Sequence, residues 1–137
     1  MEMLVALFSL VGYIIGAALQ YYFTRLLDTK QHYRDLRTNA YLDYLGAVAE
    51  QTNTSWREGG LPDGHSLARV ADAKCRICLY GSSAAIRSFA EFEKAGASIA
   101  NYPEKFTEMV AVMRKDSTKE KTDSKDLRLL LMGRRDS

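Results

Sequence analysis

The sequence predicts an all-α protein: one N-terminal transmembrane helix followed by a small antiparallel helical bundle. Three observations lead there. Residues 3–23, MLVALFSLVGYIIGAALQYYF, are an almost unbroken apolar run, with Gln20 its only strongly polar member. Beyond it, apolar residues recur at steps of three and four. No window shows the alternation or the Val/Ile/Thr clusters that strands prefer. The expected organisation is a transmembrane anchor at 1–23, a helical cytoplasmic domain at 24–114, and a charged linker, short amphipathic helix and basic tail at 115–137.

Charge divides the chain in the same way. Residues 1–23 hold no Lys or Arg and one acid, Glu2; the other residues carry all 19 basic and 16 of the 17 acidic side chains. A run of 21 residues rises about 30 Å as a helix, the thickness of a bilayer's hydrocarbon core. A buried helix of a small soluble domain is rarely apolar all round. A signal peptide needs a positive start and a shorter apolar region. Gly16-Ala17-Ala18 imitates a cleavage site, but the length of the run and the lack of a leading cation favour a retained single-pass anchor.

Arg25, Lys30, Arg34 and Arg37 follow the span and no cation precedes it. The positive-inside rule then places the C-terminal side in the cytoplasm, with a short N-terminus outside and Tyr21, Tyr22 and Phe23 at the interface. The expected location is a bacterial inner membrane, with the lipid bilayer as first partner. The sequon Asn53-Thr54-Ser55 would not meet a glycosylation machinery in this topology.

Within the span, Gly12 and Gly16 form G-x-x-x-G and Ser9 lies one turn earlier. Val5, Ser9, Gly12, Gly16 and Phe23 fall along one helical face, and Tyr13 lies at its edge. Small residues let two backbones approach closely, and a tyrosine hydroxyl in lipid gains from a partner across the contact. Glycine is also simply common in membrane helices. Ser9, Gly12, Tyr13 and Gly16 are the candidate self-association residues.

The next element runs from Arg25 to Gln51 with Gly46 as its only breaker, and Tyr33, Leu36, Ala40, Tyr44 and Val48 set its stripe. Nothing separates it from the span, so the helix is expected to continue out of the membrane. Residues 52–65, TNTSWREGGLPDGH, read as a loop on Gly59-Gly60 and Pro62-Asp63-Gly64, with Trp56 capping a core. A second helical stretch spans Ser66 to Ala95 on Ala71, Cys75, Cys78, Ser82, Ala85 or Ile86, Phe89 and Phe92. Gly81-Ser82-Ser83 predicts a break and restart there, and Gly96 an end. Asn101-Tyr102-Pro103-Glu104 reads as a helix start with Asn101 as cap. Phe106, Met109, Val110 and Met113 form the stripe that follows. Residues 115–126, KDSTKEKTDSKD, read as a charged linker, and Leu127, Leu130 and Leu131 as the docking side of a last short helix.

Candidate chemistry is sparse. Cys75-Arg76-Ile77-Cys78 is C-x-x-C, yet it lies in mid-helix, away from a helix N-terminus that would activate a thiol. Zinc needs about four ligands, twice what one pair supplies. A core-facing pair is the expected account. Arg25 and His32 resemble the R-x4–6-H pattern of the HEPN ribonucleases, but Leu26 stands where that family has a polar residue, and Arg25 is already explained by topology. His65 is expected on the surface. Phosphate loops, H-E-x-x-H and G-x-S-x-G are absent. A net charge of +2 gives no reason to expect nucleic acid.

Asn39-Ala40-Tyr41-Leu42-Asp43-Tyr44-Leu45, Leu79-Tyr80-Gly81-Ser82-Ser83 and the stretch from Phe106 to Asp116 resemble a group of uncharacterised small bacterial single-pass membrane proteins with helical cytoplasmic domains. The resemblance implies architecture and bacterial origin, with no activity. The functional expectation is a membrane-anchored helical interaction or scaffold protein without catalytic activity. It would self-associate as a homo-oligomer or bind a protein partner; no cofactor or metal is expected, and no small-molecule ligand is identifiable from the sequence. The alternatives are a membrane-tethered enzyme, ribonuclease-like or thiol-active, and an oligomeric pore-forming effector.

Overall fold

The computed structural model describes the backbone of residues 1–58 and 64–133 and, among these, the side chains of all but 54–58. The described chain is built of helices, with no strand among the described residues: α1 (Glu2–Glu58), α2 (Gly64–Tyr80), α3 (Ser83–Lys94), α4 (Pro103–Thr118) and α5 (Ser124–Met132). It divides into two compact units, Met1–Arg34 and Asp35–Ser137.

The first unit is helix α1 up to Arg34. Glu2 in its first turn complements the positive end of the helix dipole, and no break occurs between Phe23 and Leu26. Every side chain from Met1 to Arg34 is exposed. This stretch contains the one helical segment, among the described residues, that is long and apolar enough to cross a membrane.

The second unit has a core that draws on four helices. Ala40, Tyr41 and Tyr44 come from α1, Ala73 and Ile77 from α2, Ala85 and Phe92 from α3, and Phe106, Met109 and Met113 from α4. Tyr44 meets Phe89 edge-on with centroids 4.9 Å apart, and Phe92 meets Phe106 at 5.5 Å, geometries that suit the ring quadrupoles. Of the expected α1 stripe, Ala40 and Tyr44 are buried, Leu36 and Val48 half-buried, and Tyr33 lies exposed in the first unit.

The restart after α2 forms as expected. Ser82 Oγ accepts from the Ala85 N–H at 3.2 Å and caps α3. Gly81 is required by close approach: its N–H donates to the Ile77 carbonyl at 2.7 Å, and an added Cβ would meet that oxygen at 2.5 Å. Gly96 follows α3 with φ +100, a left-handed turn that glycine adopts without strain.

Five expectations are corrected. Helix α1 runs to Glu58, so residues 52–58 are not loop. Thr52 holds the helix by donating Oγ1 to the Val48 carbonyl at 2.9 Å, and no glycine interrupts the stretch. The turn expected at Gly59-Gly60 and Pro62-Asp63 and the packing of Trp56 lie outside the described residues. In α2 the core face is Ser66, Ala73 and Ile77, with Val70 beside it, whereas Ala71, Cys75 and Cys78 are exposed. The cap of α4 is Tyr102, with Pro103 in the first turn; Asn101 does not cap. Helix α4 continues to Thr118 and Lys119 closes it at φ 61, which shrinks the linker to 119–123. Helix α5 packs against α4 with Leu127 and Met132 half-buried and Met132 against the core, while Leu130 is 83% exposed and Leu131 also faces out.

Candidate functional site

The glycine face lies wholly in the first unit. Gly12 and Gly16 have nothing within 4 Å of where a Cβ would stand. Ser9 Oγ donates to the Val5 carbonyl at 2.6 Å, with Ala6 O at 3.3 Å, so its hydroxyl is satisfied within the helix. Tyr13 is 77% exposed. The face is therefore smooth, open and free of unmet backbone groups, the condition for close helix–helix approach. Arg25, Lys30 and Arg34 are exposed on the same unit, and Thr29 Oγ1 donates to the Arg25 carbonyl. His32 is exposed beside Tyr33.

Arg37 belongs to the second unit and has a role the sequence did not show. Its Nε donates to the Tyr80 carbonyl at 2.8 Å, at the end of α2, and its Nη1 to Asp116 Oδ1 at 3.1 Å. Tyr41 Oη donates to Asp116 Oδ2 at 2.5 Å and accepts from the Ser82 N–H at 3.3 Å. A cation at the C-terminus of α2 also complements that helix's dipole. Burial, reinforced by the bond to Asp116, pushes the Tyr41 phenol up to about 12. Burial, then the nearby charge of Glu93, raises Tyr44 as well.

Arg37, Tyr41 and Asp116 form a polar constellation that joins distant parts of the sequence. Both oxygens of Asp116 are engaged, and the raised phenol keeps its proton at neutral pH. Such a set ties α1, α4 and the α2–α3 junction together. It works as a clamp.

Cys75 and Cys78 are free and exposed, contrary to the core-facing expectation. The cause is visible in α2, which has two apolar sides. Val70, Ala73 and Ile77 face the core; Leu67, Ala68, Ala71, Cys75, Cys78 and Leu79 are all exposed. Arg69, Asp72, Lys74 and Arg76 occupy the flanks between them and form ion pairs there, with Glu50, Asp43 and Glu93 and, from Arg76, with Asp72 as well. The outer side of a surface helix is ordinarily polar; here it is not. Among the described residues no group of three or more His, Cys, Asp or Glu could hold a metal ion. His65 is exposed, as expected.

Comparison with known proteins found no matching family model, no matching curated protein and no matching solved structure.

Proposed function

We propose that the chain is a single-pass membrane protein of the bacterial inner membrane, with its N-terminus outside and a small antiparallel helical bundle in the cytoplasm. In this reading it acts without catalysis, by self-association or by recruiting a protein partner. The observation that carries it is the exposure of the whole apolar stretch 3–23. Burying apolar surface is worth roughly 25 cal/mol per Å², so the 17 uncovered apolar side chains of this stretch need an apolar solvent. A bilayer supplies it at the right thickness.

Two surfaces support association. The open face of Ser9, Gly12, Tyr13 and Gly16 fits a second copy within the membrane. The apolar outer side of α2 fits a helix from a protein partner or another copy.

The experiment is mass measurement of the native assembly from mild detergent, together with identification of copurifying proteins. The proposal predicts a homo-oligomer or a defined complex, and predicts that Gly12→Ile with Gly16→Ile lowers the oligomer's size. A monomer without any partner contradicts it.

The exposure of Cys75 and Cys78 favours one second reading, a thiol-reactive surface on α2. Replacing both by alanine abolishes the cellular phenotype in that case, and a fully active double variant removes it.

A further inference from the structure

Helix α5 turns Lys125, Arg128, Leu129 and Met132 towards a cavity of about 510 Å³, whose opposite wall includes Ile99 and Pro103. The four α5 positions are spaced i, i+3, i+4 and i+7, one face of the helix. Along that face polarity changes in order: two cations at the N-terminal end, two apolar side chains at the C-terminal end. The volume lies within the range of small-ligand pockets. Leu129 remains 56% exposed at the opening and no residue of α5 is buried, so apolar surface here is left for something to cover.

The charges facing the cavity are few. Arg128 Nη1 donates to Glu104 Oε1 at 3.2 Å, a pair exposed on both sides and therefore weak and easily exchanged. Among the described residues Lys125 makes no ion pair. Asp123 is occupied in capping α5 by accepting the Lys125 N–H, and Asp126 lies about 100° round the helix from Lys125.

We propose that this cavity binds a single-chain amphiphile with an anionic head, of the class of medium-chain carboxylates. The carboxylate takes charge-assisted bonds from Lys125 and Arg128, and the alkyl chain lies over Leu129, Met132, Ile99 and Pro103. From Lys125 to Met132 the helix rises about 10 Å, the reach of one medium alkyl chain. This inference is independent of self-association and of membrane topology.

The test uses the full chain in nanodiscs of zwitterionic lipid, with decanoate carrying a diazirine at its chain end as the probe. After irradiation, cross-links are mapped by peptide mass spectrometry. The proposal predicts adducts on peptides containing Ile99–Pro103 and Leu129–Met132, competed by unlabelled decanoate and not by decanol. Lys125→Glu with Arg128→Glu is predicted to lower labelling about fivefold or more, as expected for losing two charge-assisted bonds. Glu104→Gln, which frees Arg128, raises it. Equal competition by decanol, unchanged labelling of the double variant, or adducts confined to residues 3–23 would overturn the proposal. The competition arm needs only the unmodified chain, so a misfolded variant cannot rescue the idea.

Discussion

At the scale of single residues, the Arg37–Asp116–Tyr41 clamp yields two predictions. Tyr41→Phe removes the donor to Asp116 Oδ2 and the acceptor for the Ser82 N–H. It should cost about 1–2 kcal/mol, because a partly buried carboxylate loses a bond that no solvent fully replaces; chemical denaturation measures it. The second prediction is an alkaline limb. The folded phenol ionises near 12 instead of its usual 10. Below pH 10 both states keep the proton and the stabilisation is fully present. Between 10 and 12 the unfolded state loses its proton first, so stability falls as pH rises through that window. Denaturation midpoints from pH 9 to 12 should decline less steeply in Tyr41→Phe, with Tyr44 leaving a residual slope in the same direction. Asp116 was not legible in the sequence. It sits in KDSTKEKTDSKD, where every neighbour looks solvated, and its partners are 75 and 79 positions away; nothing local marks such a contact.

At the scale of elements, helix ends and faces decide the outcome. Lys119 closes α4 in the left-handed region at φ 61, which costs an L-residue roughly 1 kcal/mol relative to glycine. Lys119→Gly should therefore raise the thermal midpoint modestly, and no gain would mean that the cap is not formed in solution. Gly81→Ala should destabilise by clearly more than an ordinary loop substitution, since its Cβ would strike the Ile77 carbonyl. The restart at Gly81-Ser82-Ser83 was readable because breaker and cap are local signals. The face of α2 was not. Ala71, Cys75 and Cys78 keep a helical period as well as Val70, Ala73 and Ile77 do, and periodicity locates a face without saying which of two apolar faces the core takes. The cap of α4 shows a similar ambiguity: Asn101 and Tyr102 both precede Pro103, and Asn101 is the better intrinsic cap, yet Tyr102 holds the position without a side-chain bond.

At the scale of the whole molecule, the helical class was legible from the lack of strand patterning and from repeated three- and four-residue steps. The uncovered apolar stretch was legible from composition. The core has its own test: Met109 is fully buried, and Met109→Ala should cost about 2–5 kcal/mol while leaving membrane retention unchanged, because residues 3–23 lie in the other unit. A core defect that released the chain from membranes would contradict the division of labour between the two units. The central claim, a span with its N-terminus outside and the second unit in the cytoplasm, is most directly tested by thiol accessibility. Cys75 and Cys78 are the only native cysteines and both are exposed, so they report on their own compartment. Glu2→Cys adds a reporter at the other end. With a membrane-impermeant maleimide on intact bacterial spheroplasts, the account predicts that the introduced thiol is labelled at once and that Cys75 and Cys78 react only after permeabilisation. Labelling of both ends in intact cells, or protection of both until lysis, would contradict it.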